Sequence, residues 1–245
     1  MIKIRCFILL FILPFCASSQ NIDTVKKQQS NNIRPFIIPA VFIGYGIIAK
    51  SDNVLNRLDK NIQREIHTTN PNPNELPEDI LRYVPALAVY GLNLSGLKGK
   101  NNLVDASGIY LISNVIMGVS VKLTKNLTSH ERPDLSDTHS FPSGHSSSAF
   151  ASAEFLRQEY RDVSAWYGYA GYTVATVTGV MRLRNNKHWF GDVVAGAGFG
   201  IASTKIAYLV YPEVKKLFSG KHHSNYTLMP SYQPQFYGIN FNARF

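Results

Sequence analysis

The sequence predicts an all-α protein, a helical bundle integrated in a membrane and ending in a short extended tail. Mostly apolar segments of helical length recur along the chain, separated by short polar turns. Hydrophobic residues make up 45% of the chain and charged residues only 17%, which excludes an intrinsically disordered protein. The alternation typical of strands is absent until Tyr226, where an aromatic-rich tail begins.

Residues 1–19 are typical of a secretory signal peptide. Lys3 and Arg5 give a basic start, Ile8–Phe15 is an apolar run too short to span a membrane, and small residues precede Gln20. Both cysteines lie in this segment, so the mature protein would have no disulfide and no thiol chemistry. Export argues against nucleic acid as a partner, and the formal net charge of +9 favours another anionic one.

Residues 20–82 form the predicted N-terminal part. After a polar lead-in, the apolar segment Pro35–Ala49 is interrupted by Pro39. Apolar residues at three- and four-residue spacing predict an amphipathic helix over Ser51–Ile66. The proline- and asparagine-rich stretch His67–Pro77 predicts a loop.

Residues 83–211 form the predicted catalytic core, followed by a basic and aromatic tail over residues 212–245. Five segments of the core have a helical pattern: Tyr83–Leu97, Leu103–Val121, Ser146–Tyr160, Ala165–Met181 and Val193–Tyr211. If the Leu123–His145 loop faces the periplasm, three basic segments face the cytoplasm, as the positive-inside rule expects. The alternative is a secreted bundle whose helices are apolar because they are buried, and Glu154 and Arg157 favour it.

Three short motifs carry the candidate chemistry. The first places Lys125 six residues before Arg132-Pro133, so that two cations could hold one anion, although such residues in a loop are often merely solvated. The second is Pro-Ser-Gly-His, ending at His145, at a helix start where backbone amides could bind an anion. There an ordinary N-cap made by Ser143 is the alternative.

The third motif is Arg182, His188 and Asp192. Histidine and aspartate four residues apart share one face of a helix, so the carboxylate could fix the imidazole tautomer and leave the other ring nitrogen free to attack. An exposed His–Asp pair of little energetic consequence is the alternative. Together the motifs supply cations, helix amides, two histidines and a carboxylate, which suits phosphoryl transfer without a metal or other cofactor.

These motifs, in this order and spacing, resemble the signature of the type 2 phosphatidic acid phosphatase (PAP2) superfamily over Tyr83–Tyr211. The resemblance implies that His188 is a nucleophile forming a phosphohistidine, that Asp192 orients it, and that His145 is the general acid. It implies that the phosphoryl oxygens are held by Lys125, Arg132, Ser143, Gly144 and Arg182. Where the family often has serine before the arginine of the third motif, this chain has Met181, so we expect altered affinity rather than lost activity.

The expected function is hydrolysis of a lipid-linked phosphate at the periplasmic face of the inner membrane. Candidate substrates are phosphatidate, phosphatidylglycerophosphate, undecaprenyl diphosphate and lipid A. The chain also resembles small exported bacterial members of the family, some of which act on lipid A, so lipid A is the leading expectation. The rival interpretations are a soluble periplasmic acid phosphatase, a vanadium-dependent haloperoxidase and a non-catalytic anion-binding membrane protein. The alternative locations are the soluble periplasm and association with the outer membrane. Two histidines with opposite protonation requirements predict a bell-shaped pH profile.

Overall fold

The structure, a computed structural model, describes residues 33–68, 76–218, 226–233 and 236–243. The predicted signal peptide and most of the predicted loop before α3 lie outside the described residues. Eight helices occur in the described part: α1 (Arg34–Ala49), α2 (Val54–Thr68), α3 (Leu76–Leu81), α4 (Val84–Leu94), α5 (Leu103–Thr128), α6 (Gly144–Tyr160), α7 (Ala165–Arg184) and α8 (Phe190–Phe218). Two strands follow, β1 (Tyr226–Gln233) and β2 (Phe236–Ala243).

The predicted fold class is confirmed, because each segment with a helical pattern is a helix and the tail is extended. The two strands pair antiparallel as a hairpin, with Tyr226 opposite Ala243. Several helices extend beyond their apolar runs, since α5 ends at Thr128 and α8 begins at Phe190. These extensions place two predicted site residues, at positions 125 and 192, inside helices.

Two predictions about the N-terminal part were wrong. Pro39 does not interrupt the first apolar segment, because it lies in the second turn of α1, where its ring removes only one hydrogen bond close to the helix start. The predicted loop over His67–Pro77 ends early, at the short helix α3. Proline is tolerated in the first turn of a helix, and Glu78 and Asp79 favour the positive end of its dipole.

Close packing of α8 against α6 determines where the site forms. In the core, α8 packs along α1, α5 and α6, while α7 packs along the other side of α6. A Cβ atom on Gly196 would lie 2.6 Å from the carbonyl oxygen of Ser143, and a Cβ on Gly200 would collide with that of Ser147. The glycines therefore allow the two backbones to approach at the start of both helices.

Two helices, α5 and α8, are long and apolar enough to cross a membrane, and the bent pair of α1 and α2 is a third candidate. The most apolar stretch of α5 is only 28% buried, against 61% for α8. Exposed apolar side chains of α5 include Leu111, Val115, Val119 and Leu123. Burial in the bundle therefore does not account for the apolar character of α5, and a membrane location does.

The charges within α6 are compatible with a membrane location. Glu154 is fully buried, and Arg157 donates to both of its carboxylate oxygens at 2.8 and 2.6 Å. The ammonium of Lys205 lies 2.8 Å from the same carboxylate. Charges that face the interior of a bundle and pair with one another are the kind that membrane helices accommodate.

Candidate active site

The carboxylate of Asp192 is the centre of the predicted third motif. One oxygen, Oδ2, accepts hydrogen bonds from the hydroxyl of Ser140 and, at 2.9 Å, from the backbone amide of Trp189. The other, Oδ1, lies 3.4 Å from Nδ1 of His130. Nδ1 of His188 lies 3.7 Å from Oδ2. The prediction that the two residues share a helix face was wrong, because α8 begins at Phe190 and His188 lies in the turn before it. Asp192 is 1% exposed, so a shell of protein donors replaces water around its charge.

His188 is buried as a neutral imidazole. Only 2% of the residue is exposed, and this burial lowers the pKa of His188 to about 4. Its Nδ1 faces the carboxylate of Asp192 and lies 3.4 Å from the hydroxyl of Ser140. A proton on that nitrogen leaves the lone pair on Nε2, which makes the ring a nucleophile at neutral pH.

The segment that carries His188 is held from both sides by α2. The carboxylate of Asp59 accepts a 2.7 Å hydrogen bond from the amide of Gly191, in the first turn of α8. The amide nitrogen of Gln63 donates to the carbonyl of Leu183 at 3.1 Å and to the side chain of Asn186 at 2.6 Å. All three hydrogen bonds are buried or partly buried, so α2 fixes the connection between α7 and α8.

Charged side chains from three parts of the chain line a cavity of about 260 Å³. Its lining is Glu78, Asp79, Arg132, Ser136, Asp137, His145, Arg182 and Lys187. Three of the eight predicted site residues, at positions 132, 145 and 182, are therefore brought to one cavity. The lining includes the residue that immediately precedes His188.

Two acidic residues of α3 contact predicted site residues in this cavity. Arg182, which is 6% exposed, forms an ion pair with the fully buried Glu78. Nε2 of His145 lies 2.7 Å from Oδ1 of Asp79. The hydrogen bond from His145 lowers the pKa of Asp79, while burial and the charge of Arg182 lower the pKa of His145.

The remaining cations of the cavity are also paired. Nε of Arg132 donates to Asp137 at 2.7 Å, and this bond lowers the pKa of that carboxyl. A second guanidinium nitrogen donates to the carbonyl oxygen of Lys187 at 3.2 Å. The ammonium of Lys187 lies 3.2 Å from Asp134. The loop between α5 and α6 thus holds two of its own carboxylates against the cations of the cavity.

The predicted anion site at the start of α6 is shared with a helix cap. The hydroxyl of Ser143 caps α6 by accepting from the amide of Ser146 at 3.4 Å, and its own amide donates to the carbonyl of Asp192 at 3.0 Å. Gly144 and His145 occupy the first two helical positions, where amides have no acceptor within the helix. The capping interpretation thus holds for Ser143, and Gly144 keeps an amide position suited to an anion.

Lys125 lies in the last turn of α5 and is half-buried. Its ammonium donates to the carbonyl of His139, in the same loop as Ser140. It is not part of the lining of the charged cavity, in contrast to Arg132. The structure therefore brings Lys125 to the loop around Asp192.

Sequence reasoning missed several residues of this site. They are Asp59, Gln63, Glu78, Asp79, His130, Ser140 and Trp189. Only α3 carried a usable local signal, since two acidic residues directly after a proline mark a helix start. The others contact the site through long-range folding, which no local pattern reveals. Among the described residues, no group of three or more His, Cys, Asp or Glu side chains is arranged to hold a metal ion.

Residues 103–216 match the family model of the PAP2 superfamily. This range contains all eight predicted site residues. The chain carries a PAP2 superfamily domain. The match begins at the start of α5 and ends in the last turns of α8, so the PAP2 domain includes the loop around Asp192 and the last four helices.

Two curated relatives are similar to part of the chain. A lipid A 1-phosphatase of Porphyromonas gingivalis is 36% identical over 137 residues, which are 54% of this chain and 30% of the relative. A probable diacylglycerol pyrophosphate phosphatase 1 of Schizosaccharomyces pombe is 28% identical over 187 residues, 58% of this chain and 64% of the relative. The chain thus spans less than two thirds of the length of either relative.

Two solved structures are similar to this one. The transmembrane PAP2-type phosphatidylglycerolphosphate phosphatase from Bacillus subtilis has 16% sequence identity and a TM-score of 0.46, and the match covers 73% of this chain and 98% of that one. LpxE of Aquifex aeolicus has 16% identity and a TM-score of 0.40, with coverages of 82% and 94%.

Proposed function

We propose that this protein is a phosphatase that hydrolyses a phosphate or diphosphate monoester of a membrane lipid through a phosphohistidine on His188, with no metal or other cofactor. The observation that carries the proposal is the neutral, buried imidazole of His188. It faces the carboxylate of Asp192 and follows directly after a residue that lines the charged cavity, together with Arg132 and Arg182. Two contacts between the motifs support the proposal, since Arg132 donates to the carbonyl of Lys187 and the amide of Ser143 donates to the carbonyl of Asp192.

In the first step, Nε2 of His188 attacks the phosphorus atom while the bond from phosphorus to the leaving oxygen breaks. Protonated His145 gives its proton to that oxygen, and Asp192 stabilises the positive charge on the attacking ring. Water then attacks the phosphohistidine with His145 as the base, and the bond between phosphorus and nitrogen breaks to release inorganic phosphate. The second step returns to His145 the proton that it gave to the leaving oxygen in the first step.

Electrostatic neutralisation makes the attack feasible, because a phosphate dianion repels an electron pair unless its charge is balanced. In our proposal Arg132 and Arg182 bind the phosphoryl oxygens from the cavity and Lys125 adds charge from the loop. The amide of Gly144 donates at the helix start. Ser143 contributes mainly by holding that helix start in place.

The substrate class is proposed from the relatives and from the membrane candidates. Both curated relatives are named for phosphorylated lipids, and lipid A, named in the more similar of the two, is our leading candidate. Helices α5 and α8 are candidate spans that begin or end at the site, which suits a substrate anchored in a bilayer. We propose residues 83–211 as the catalytic core, export directed by residues 1–19, and a site facing the periplasm.

Phosphate release by the purified full chain in detergent with EDTA tests this function. The panel contains lipid A, phosphatidate, phosphatidylglycerophosphate, undecaprenyl diphosphate and p-nitrophenyl phosphate. We expect release of phosphate from a lipid, loss of that release in His188→Ala, and its retention in His139→Ala, which removes an exposed histidine of the neighbouring loop. Release that survives His188→Ala would assign the nucleophile to another residue, and preference for p-nitrophenyl phosphate would favour a general phosphatase.

A further inference from the structure

Helix α3 brings a carboxylate to the proposed general acid, outside the three motifs. It packs against α6 and α7, and its Asp79 extends into the charged cavity with 53% of the side chain exposed. There Oδ1 of Asp79 lies 2.7 Å from Nε2 of His145, whose side chain is 24% exposed. This is a short, direct contact between two groups that share one cavity.

The contact decides which nitrogen of His145 is available. With Nε2 bound to Asp79, Nδ1 is the ring nitrogen that remains for a leaving oxygen. A neutral ring that keeps its proton on Nε2 for Asp79 has no proton to give from Nδ1. His145 therefore acts as an acid only as an imidazolium, which donates from both nitrogens.

The other charges around His145 oppose that charged form. Arg182 from α7, Arg82 after α3, and Arg132 and Lys187 at the cavity wall are positive. The negative groups facing the same space are Glu78 and Asp137, which are paired with Arg182 and Arg132. The third is Asp79 itself, whose Oδ1 also lies 3.5 Å from the guanidinium of Arg82. Burial and Arg182 lower the pKa of His145, whereas its hydrogen bond to Asp79 raises it.

We infer that Asp79 is a positioning residue for the general acid: it orients the ring of His145 so that Nδ1 serves the leaving oxygen, and it stabilises the protonated ring through the Nε2 contact. The inference rests on the proposed function. It pairs each of the two histidines with its own carboxylate, Asp192 for the nucleophile and Asp79 for the acid. The proposed reaction requires the two imidazoles in opposite protonation states, and the contact with Asp79 favours the protonated form of His145.

The kinetic test compares Asp79→Asn with Asp79→Glu and a control, Asp162→Asn, on the exposed turn after α6. For Asp79→Asn we expect kcat at neutral pH to fall about tenfold with KM little changed. The basic limb of the kcat profile should move about one unit to lower pH, a modest shift because Asp79 is half-exposed. Asp79→Glu should recover most of both effects, and Asp162→Asn should match the wild type.

A second readout does not depend on catalysis. Histidine-selective NMR titration of His145 in detergent, assigned with His145→Asn, should show a lower pKa in Asp79→Asn than in wild type. If the wild type releases no phosphate, the proposed function fails, while the titration still decides whether Asp79 supports the protonated ring. An unchanged titration overturns the inference. A lower KM with an unmoved basic limb also overturns it, because Asp79 would then be a competitor of the phosphate.

Discussion

Replacing Asp59 by alanine tests whether α2 holds the catalytic segment in place. Asp59 is 4% exposed, and its carboxylate accepts the 2.7 Å hydrogen bond from the amide of Gly191. Alanine leaves that buried amide without its acceptor, which costs about 1–3 kcal/mol. The relief of a buried carboxylate offsets part of this, so we expect a net loss of about 2 kcal/mol.

The loss should appear in both stability and activity. For a chain of this length about 2 kcal/mol corresponds to a decrease in Tm of about 4–8 °C, followed by the fluorescence of Trp189 beside the changed contact. Activity should fall as well, because Gly191 lies between His188 and Asp192. Asp59→Asn keeps an acceptor oxygen and should lose less than half as much stability and activity as Asp59→Ala.

Asp52→Ala is the matched control, since this exposed carboxylate lies seven residues earlier. With Asp59 it lines a second cavity, separate from the charged cavity and next to His130 and Trp189. Its Tm and activity should remain those of the wild type. If Asp59→Ala melts with the wild type and keeps its activity, then the contact does not hold the start of α8, and the account of how α2 positions His188 is wrong.

Two further predictions concern protonation and packing. Because the pKa of His188 is lowered to about 4, we expect activity to persist on the acid side until about that pH. The unfolded state binds a proton at this histidine at a higher pH than the folded state does, so stability falls as pH decreases from the ordinary histidine pKa to about 4. The rate and the Tm, each measured against pH, test the two expectations. An apparent pKa near neutrality for the acid limb of the rate profile, unchanged by substitutions of His145, would contradict this. Gly196→Ala should lower Tm and activity, because its Cβ meets the backbone of Ser143 at 2.6 Å, whereas Gly118→Ala in α5, with nothing within 4 Å, should leave both unchanged or raise Tm slightly.

The sequence predicted the helices and the membrane candidates because both depend on local composition. An apolar stretch of helical length can be recognised without knowing which helices it packs against. The helices extend beyond these stretches by only one or two turns. The predicted helix ends were wrong where polar residues continue a helix, as at Lys125, and where the motif suggested a helix that had not yet begun, as at His188. The short helix α3 was missed because its proline suggested a loop, although proline fits the first turn of a helix.

For the site, the motifs and their spacing predicted which residues carry the chemistry, whereas the fold determines which side chains contact them. The four-residue spacing predicted that His188 and Asp192 are neighbours, but they meet across the turn that leads into α8 and not on one helix face. The contact between Asp59 and Gly191 joins residues 132 positions apart, and the one between Asp79 and His145 joins residues 66 apart. No periodicity predicts such pairs, since they depend on which helix faces come together.

In this chain the packing of the helices determines the geometry of the site. Gly196 lies one turn after Asp192, and its missing side chain lets α8 approach the start of α6. That approach allows the amide of Ser143 to donate to the carbonyl of Asp192 at 3.0 Å, which joins the second motif to the third. A substitution that separates the two helices would therefore pull the proposed acid away from the proposed nucleophile without touching either. For this reason, changes at small residues on the α6–α8 contact should reduce activity before they abolish folding, and Gly196→Ala distinguishes the two effects when activity and Tm are measured on the same preparation.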